Sequence, residues 1–252
     1  MIESSPLPGD PTTLRLRIAY TDELSDTPDA DTLERWDVMI LHRHRLHLGH
    51  RCPAAPSECV AEDCPAQSVD DITVGSMTFF RVHLDRGRNA FAALEEESED
   101  LAEIAQALLD PLTGYYTDEV SELLEYSGSA LLIMDRVALD EAWRGHGLGV
   151  SLACEAIFRL MPGCRAVACS PGVSDLSAHR LRNRSEWDRV TARIARGWEE
   201  IGFLSYRDNV YVLSPTSLEL EEQRARQRRK LAELGAVWAA ERVCPPPPRE
   251  DP

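Results

Sequence analysis

The stretch Arg144-Gly145-His146-Gly147-Leu148-Gly149 lies between an apolar run, Ala130 to Leu139, that reads as a strand and a second, Val150 to Leu160, that reads as a helix. Strand, glycine-rich turn and helix in that order form a construction that binds phosphate at a helix N-terminus. Glycines let the backbone approach phosphate oxygens with no Cβ between them, and the freed N–H groups and the helix dipole supply partial positive charge. The same spacing also describes a tight strand-to-helix turn with no ligand. It lacks the third glycine and ribose-binding acid of a dinucleotide fingerprint, and there is no Walker lysine.

Composition narrows the classes around this motif. The 252 residues suffice for one large domain with appendages or two small ones. No apolar run reaches the ~20 residues of a membrane span, and MIESSPLPGDP has no basic region followed by an apolar one, so a cytoplasmic protein without a secretory signal is expected. Seven cysteines, an odd number spread over the chain, fit reduced thiols better than a disulfide framework. Twenty-seven basic and 43 acidic residues leave a net charge of −16, which opposes nucleic acid and anionic membrane and favours a cationic substrate or protein partner. Lys230 is the only lysine; this bias towards arginine is read as base composition of the coding genome, and no function is drawn from it.

Working outward, residues 1–11 read as a loose tail, and Thr13 to Tyr20 alternates as a half-buried strand. Trp36 to Leu48 contains a second strand, Arg51 to Ala66 a loop, and Ile72 to Leu84 a third strand with a bend or bulge at Gly75. Asn89 to Leu109 has apolar residues at helical spacing with an acidic block, Glu95 to Asp100, on a solvated face. A short helix follows over Asp118 to Tyr126, after a break at Pro111 to Tyr116. Beyond the glycine turn come a strand at Arg165 to Cys169, a helix over 174–200, and two short strands around Arg207-Asp208-Asn209. A charged helix opens with a capping-box spacing from Thr216 to Glu219, and a proline tail closes the chain.

The order from Ala130 to Phe203 resembles the core of the GCN5-related N-acetyltransferase (GNAT) family, whose signature is a strand, then Arg or Gln, two residues, Gly, one residue, Gly or Ala, then a helix. Arg144, Gly147 and Gly149 fill those positions. Leu139, five before the arginine, and Trp143, just before it, match the family's usual approach, while Glu141 stands where many members place proline. Trp198 to Phe203 resembles the family's late helix and Gly-Phe turn. The resemblance covers residues 130–213 well and 12–84 only through plausible leading strands. It implies an α/β (α+β) fold with a mixed, mostly antiparallel central sheet flanked by helices, a helical insert at 86–127 and a C-terminal helix within 216–252. An acetyltransferase-like domain would then fill 12–215, with its cofactor core at 130–213.

Further implications of the resemblance concern the site. The strand before the turn splays from its neighbour, so that Val137, Ala138 and Leu139 pair with the pantetheine arm of acetyl-CoA as co-substrate. The pyrophosphate rests on the amides of Gly145, His146, Gly147, Leu148 and Gly149, with Arg144 adding charge. Transfer to an amine also needs a base, because an alkyl amine titrates near ~10. Asp135, two residues before Val137 and hence expected on the same strand face, is the candidate; a structural carboxylate paired with an arginine is the other reading. A strand amide near Val137 is the expected oxyanion donor. The family's usual tyrosine acid, four residues before the glycine of the Gly-Phe turn, is Trp198 here, and Tyr206 or Tyr211 are the substitutes on offer.

A second constellation comprises His42, His44, His47, His50, Cys52, Cys59 and Cys64. A zinc site with His50, Cys52, Cys59 and Cys64 as ligands is one reading, though the spacing matches no standard finger; an unliganded strand and loop is the other, its Arg and His residues facing the acidic helix as a further alternative, and no metal is assigned. His146 is expected to point to solvent, and Cys169 and His179 have no identified partner. The function expected is an acetyl-CoA-dependent N-acyltransferase acting by direct attack on the thioester, with an amine-bearing small molecule or protein as acceptor. Its rival is a catalytically weak acyl-CoA-binding or protein-interaction module, in which the charged helix meets a partner or a second copy of the chain.

Overall fold

A computed structural model describes residues 6–21, 31–43, 71–125, 128–172, 184–217 and 219–241. Its described residues form seven strands and six helices in a mixed α/β arrangement. The strands are β1 (Leu14–Tyr20), β2 (Leu33–Arg43), β3 (Asp71–His83), β4 (Ala130–Leu139), β5 (Cys164–Cys169), β6 (Leu204–Arg207) and β7 (Val210–Leu213). They make one sheet in the order β1-β2-β3-β4-β5-β7-β6, in which every neighbouring pair is antiparallel except β4 and β5. The helices are α1 (Ala90–Glu97), α2 (Glu99–Leu108), α3 (Asp118–Leu123), α4 (Leu148–Leu160), α5 (Arg184–Glu199) and α6 (Glu219–Ala240). None among the described residues is long and apolar enough to cross a membrane.

Alternation along the strands divides the core into two layers. Val38, Met77, Phe79, Leu132 and Met134 pack on one face with α4, Trp198 of α5 and Leu220 of α6. Phe80, Val82, Leu131 and Ile133 pack on the other with α1, α2 and α3. The parallel β4–β5 pair requires a crossover, which α4 supplies, so the turn 144–149 sits at one edge of the sheet's centre.

Local chemistry moves several expected boundaries. The single helix expected over Asn89 to Leu109 is two, because Ser98 is extended (φ −165°, ψ 160°): its N–H ends α1 on Leu94 O, and its hydroxyl accepts from Leu101 N to start α2. α3 ends three residues before the expected Tyr126. β2 starts three residues ahead of Trp36. The irregularity expected at Gly75 is a bulge at the preceding residue, Val74, which has no partner between the pairs Ile40–Gly75 and Leu41–Thr73. Asp208 and Asn209, both at positive φ (49° and 61°), make the tight β6–β7 turn, a conformation their short polar side chains tolerate. The tail is not loose in its second half: Leu7 is 7 % exposed and joins the α4-side core, and Pro11 is buried at the start of a short 3₁₀ turn.

The C-terminal helix also departs from expectation. It begins at Glu219, so Thr216 is not its N-cap; the Thr216 hydroxyl instead lies 2.8 Å from the Ser214 hydroxyl. Leu220, Gln223, Gln227, Leu231, Leu234 and Trp238, spaced three or four apart, bring one stripe of α6 against the core. Two of those positions are glutamines, which hid the stripe in a hydropathy pattern. Gln227 Oε1 accepts from the Ser151 hydroxyl of α4 at 2.8 Å. Glu155 of α4 accepts from Arg224 (2.8 and 3.0 Å) and from Arg228, and Arg224 also lies over the Phe158 ring.

Burial alone would raise the Glu155 carboxyl, but the two guanidinium hydrogen bonds overcome it and hold the group down at about 2. A carboxylate depressed in the folded state adds stability above its unfolded value, lost as pH falls through the folded one. Glu155→Gln should therefore cost ~1–3 kcal/mol at neutral pH and flatten the acid limb of stability between about 4.5 and about 2. Urea unfolding of both proteins across that range checks it; parallel curves would show that the pair does not hold α6.

Candidate functional site

The site is built where β4 and β5 part. Their parallel pairing runs from Ala130–Cys164 to Met134–Cys169 and stops, while β4 continues to Leu139 with β3 on its other side. The β5-facing backbone of 135–139 therefore has no ladder partner. A cleft of about 750 Å³ opens there, lined on one wall by Met134 to Leu139 and closed at its end by the glycine turn.

Each part of that turn has a physical cause. Arg144 Nε donates to Leu139 O at 2.6 Å, which closes the loop and accounts for the five-residue spacing between them. Trp143 is buried against the His42 ring, with centroids 5.0 Å apart, and fixes the approach to the turn. Gly147 caps α4 in the left-handed region (φ 75°), where an L side chain would be strained. No side chain caps this end of α4, so its first amides stay available, as a helix N-terminus requires for anion binding.

Of the residues read as cofactor-binding, Val137, Ala138, Leu139, Arg144, Gly145, Gly147, Leu148 and Gly149 all line the cleft. His146 is half-buried and does not line it. The opposite wall comes from α5 and α6, which the motif did not reveal: Arg193, Arg196 and Trp198 from α5, and Lys230 from α6. Helix α5 reaches this position because Gly197 packs on Val150; an ideal Cβ there would lie 2.7 Å from Val150 Cγ2. Five of the chain's 27 basic residues line the cleft, against two of its 43 acidic ones, Asp135 and Glu200. A protein of net charge −16 thus presents a locally cationic cleft. The basic positions of α5 were the only available signal, and they read equally well as a solvated helix face.

The expectation that Asp135 shares a face with Val137 is corrected by a β-bulge. Thr78 pairs with Arg136 and Phe79 with Met134, leaving Asp135 as the extra residue of β4. Leu132 and Met134 face the α4 side before the bulge, and Val137 and Leu139 face it afterwards. Asp135 and Arg136 lie at the reversal. They line both the large cleft and a smaller cavity of about 180 Å³ on the α1–α2 side, shared with Arg35, Thr78, Glu97 and Asp100. Asp135 thus stands between two cavities.

Asp135 shares the smaller cavity with Arg35 and Arg136, and both attract its carboxylate. Burial pushes its carboxyl up, Asp100 and Glu97 push the same way, and the attraction of Arg136 and Arg35 does not outweigh them. The substitutes for the missing tyrosine lie elsewhere. Tyr206 packs on the α1–α2 face with its hydroxyl 3.5 Å from Glu119 Oε2, and Tyr211 does not line the cleft. Trp198 does line it, at 7 % exposure. The Cys169 thiol, at the point of divergence, is pushed strongly upwards by burial, which keeps it a neutral thiol and no nucleophile. His44, His47, His50, Cys52, Cys59, Cys64 and His179 lie outside the described residues.

No protein-family model matches the sequence, and no curated protein matches it. The chemical reading therefore rests on the cleft itself: an anion cradle at a helix N-terminus, an open strand edge beside it, and a raised carboxyl at the junction with a second cavity.

A raised carboxyl in the folded state destabilises the fold as pH climbs from the unfolded value near ~3.9 towards the higher folded one. Asp135→Asn should accordingly gain stability over the parent as pH rises from 3.5 to 7. Chemical denaturation of the pair at several pH values measures this, and a difference independent of pH would mean that Asp135 is not shielded from water.

Proposed function

We propose that the protein is an acetyl-CoA-dependent N-acyltransferase of GNAT-like architecture. The observation that carries this reading is the divergence of β4 from β5 at Met134 and Cys169, with the glycine turn and N-terminus of α4 at its mouth. That combination suits an elongated ligand with an amide-bearing arm and a phosphorylated end. Strand edge 135–139 supplies backbone groups for the arm, and the α4 amides with the cationic walls suit the phosphates.

Acetyl-CoA would supply an activated thioester carbonyl; what the chain contributes is orientation, charge and a proton acceptor. The acceptor amine approaches from the smaller cavity, where Glu97 and Asp100 offer an ammonium group carboxylates beside Arg35 and Arg136. Asp135, reached from both sides of β4, takes the amine proton as the nitrogen attacks, and its raised carboxyl brings it closer to the basicity a general base needs near neutral pH. A backbone N–H of the unpaired β4 edge would donate to charge developing on the thioester oxygen. With Trp198 in the tyrosine's place, the sulfur leaves as thiolate, tolerable because a thiol titrates near ~8.5.

One specific observation favours the rival reading of a catalytically weak acyl-CoA-binding module: no tyrosine lines the cleft among the described residues, so general-acid help, commonly worth ~10²–10⁴ in rate, has no evident donor. Calorimetric titration with acetyl-CoA, and with NADH as a control, tests the shared part of both readings. Saturable binding of acetyl-CoA alone is expected, and Gly147→Trp should abolish it while leaving the circular dichroism unchanged. Binding that survives Gly147→Trp would sink the assignment. An amine screen then separates enzyme from module: Asp135→Asn should lower turnover by ~10²–10⁴ with cofactor affinity retained, whereas absence of turnover with every amine favours the module.

A further inference from the structure

We infer that Lys230, carried by the C-terminal helix, is a phosphate ligand of the glycine turn and sets the preference of the cleft for a phosphorylated acyl carrier over the bare pantetheine arm. This rests on the acyl-CoA reading of the cleft. The residue is the chain's only lysine, 81 positions or more from the turn in sequence, yet its ammonium hangs over that turn. An ideal Cβ built on Gly147 would lie 3.2 Å from Lys230 Nζ and 3.4 Å from its Cε. The space that a side chain at 147 would fill is therefore occupied by a cation, beside the N-cap of α4.

Holding the fold together does not account for this placement. The partner of Lys230 is Glu200, with Nζ 3.3 Å from Oε2, and the two side chains are 42 % and 56 % exposed. Exposed pairs of this kind add little to stability. The helix carrying the lysine is nevertheless held in register: Arg224, Gln227 and Arg228, all within two turns of Lys230, are locked to Glu155 and Ser151 of α4. The ammonium thus reaches the turn from a fixed base on a flexible stem. A compact ammonium with three donors suits a phosphate as a point charge, where a guanidinium fork demands two aligned acceptors. Glu200 holds the ammonium at the cleft when no phosphate is present, and it competes with a phosphate for it.

A single side-chain amine makes the test direct. The intact protein is treated with an amine-reactive reagent, and labelling at Lys230 is followed by mass spectrometry, the α-amine serving as internal reference. CoA at saturation should slow labelling by about fivefold or more, and S-acetylpantetheine should leave it unchanged. Protection by CoA and 3′-dephospho-CoA alike assigns the contact to the pyrophosphate; protection by CoA alone assigns it to the 3′-phosphate. Lys230→Gln should weaken CoA about tenfold without changing S-acetylpantetheine affinity, and Glu200→Gln should tighten CoA about two- to fivefold. CoA binding with an unchanged labelling rate, or equal weakening of both ligands by Lys230→Gln, would overturn the inference while leaving the cleft assignment standing. Absence of CoA binding to the parent protein overturns both, which calorimetry distinguishes.

Discussion

The parallel pairing of β4 with β5 is the constraint on which the rest of the site depends. Five residues of β4, Ala130 to Met134, are hydrogen-bonded on both edges and buried on both faces, and this segment anchors the centre of the sheet. A parallel neighbour requires a crossover, so α4 must start where β4 ends, and its unpaired amides necessarily open at the edge of the sheet. The β4–β5 ladder stops at Met134, where β5 ends, and the next residue, Asp135, is a bulge that shifts β4 against β3. The free strand edge thus begins at an irregular residue that reverses the side-chain faces beyond it and lines two cavities.

Electrostatics in the cleft run against the charge of the whole chain. A net charge of −16 alone would disfavour an anionic ligand, but salt screens exposed charges beyond about 8 Å. Five cations and a helix N-terminus line the cleft against two acidic residues, so its local balance is cationic. On the far side of β4 the smaller cavity is mixed in sign, with Glu97, Asp100 and Asp135 beside Arg35 and Arg136. The two cavities thus differ in charge balance and meet at the bulge of β4.

Legibility followed the range of the interactions involved. Strands β1, β3, β4 and β5 and helix α4 were readable because their patterns reflect burial at period 2 or 3.6, and the β6–β7 turn because Asp208 and Asn209 suit positive φ. The break between α1 and α2 is local chemistry too, but Ser98 sits in an acidic run whose helical periodicity continues through it, and the capping hydroxyl was outweighed in the pattern. The inward stripe of α6 escaped because Gln223 and Gln227 are polar yet buried, and Gln227 is satisfied by Ser151, a partner 76 residues away. The bulge at Asp135 escaped because it is a property of the β3–β4 register and not of either strand's composition.

What the sequence by itself determined is the strand, glycine turn and helix from Ala130 to Leu160, since the need for φ > 0 at Gly147, the apolar runs on either side and the anion-binding character of a helix start are all local. Only the tertiary structure decided what surrounds that turn. Packing of Gly197 on Val150 brings Arg193 and Arg196 to the cleft, the Glu155 ion pairs hold α6 so that Lys230 overhangs Gly147, and the β3–β4 register sets where Asp135 points. Each of these joins residues far apart in the chain through contacts that exist only once the sheet and its helices have packed, so no local pattern encodes them.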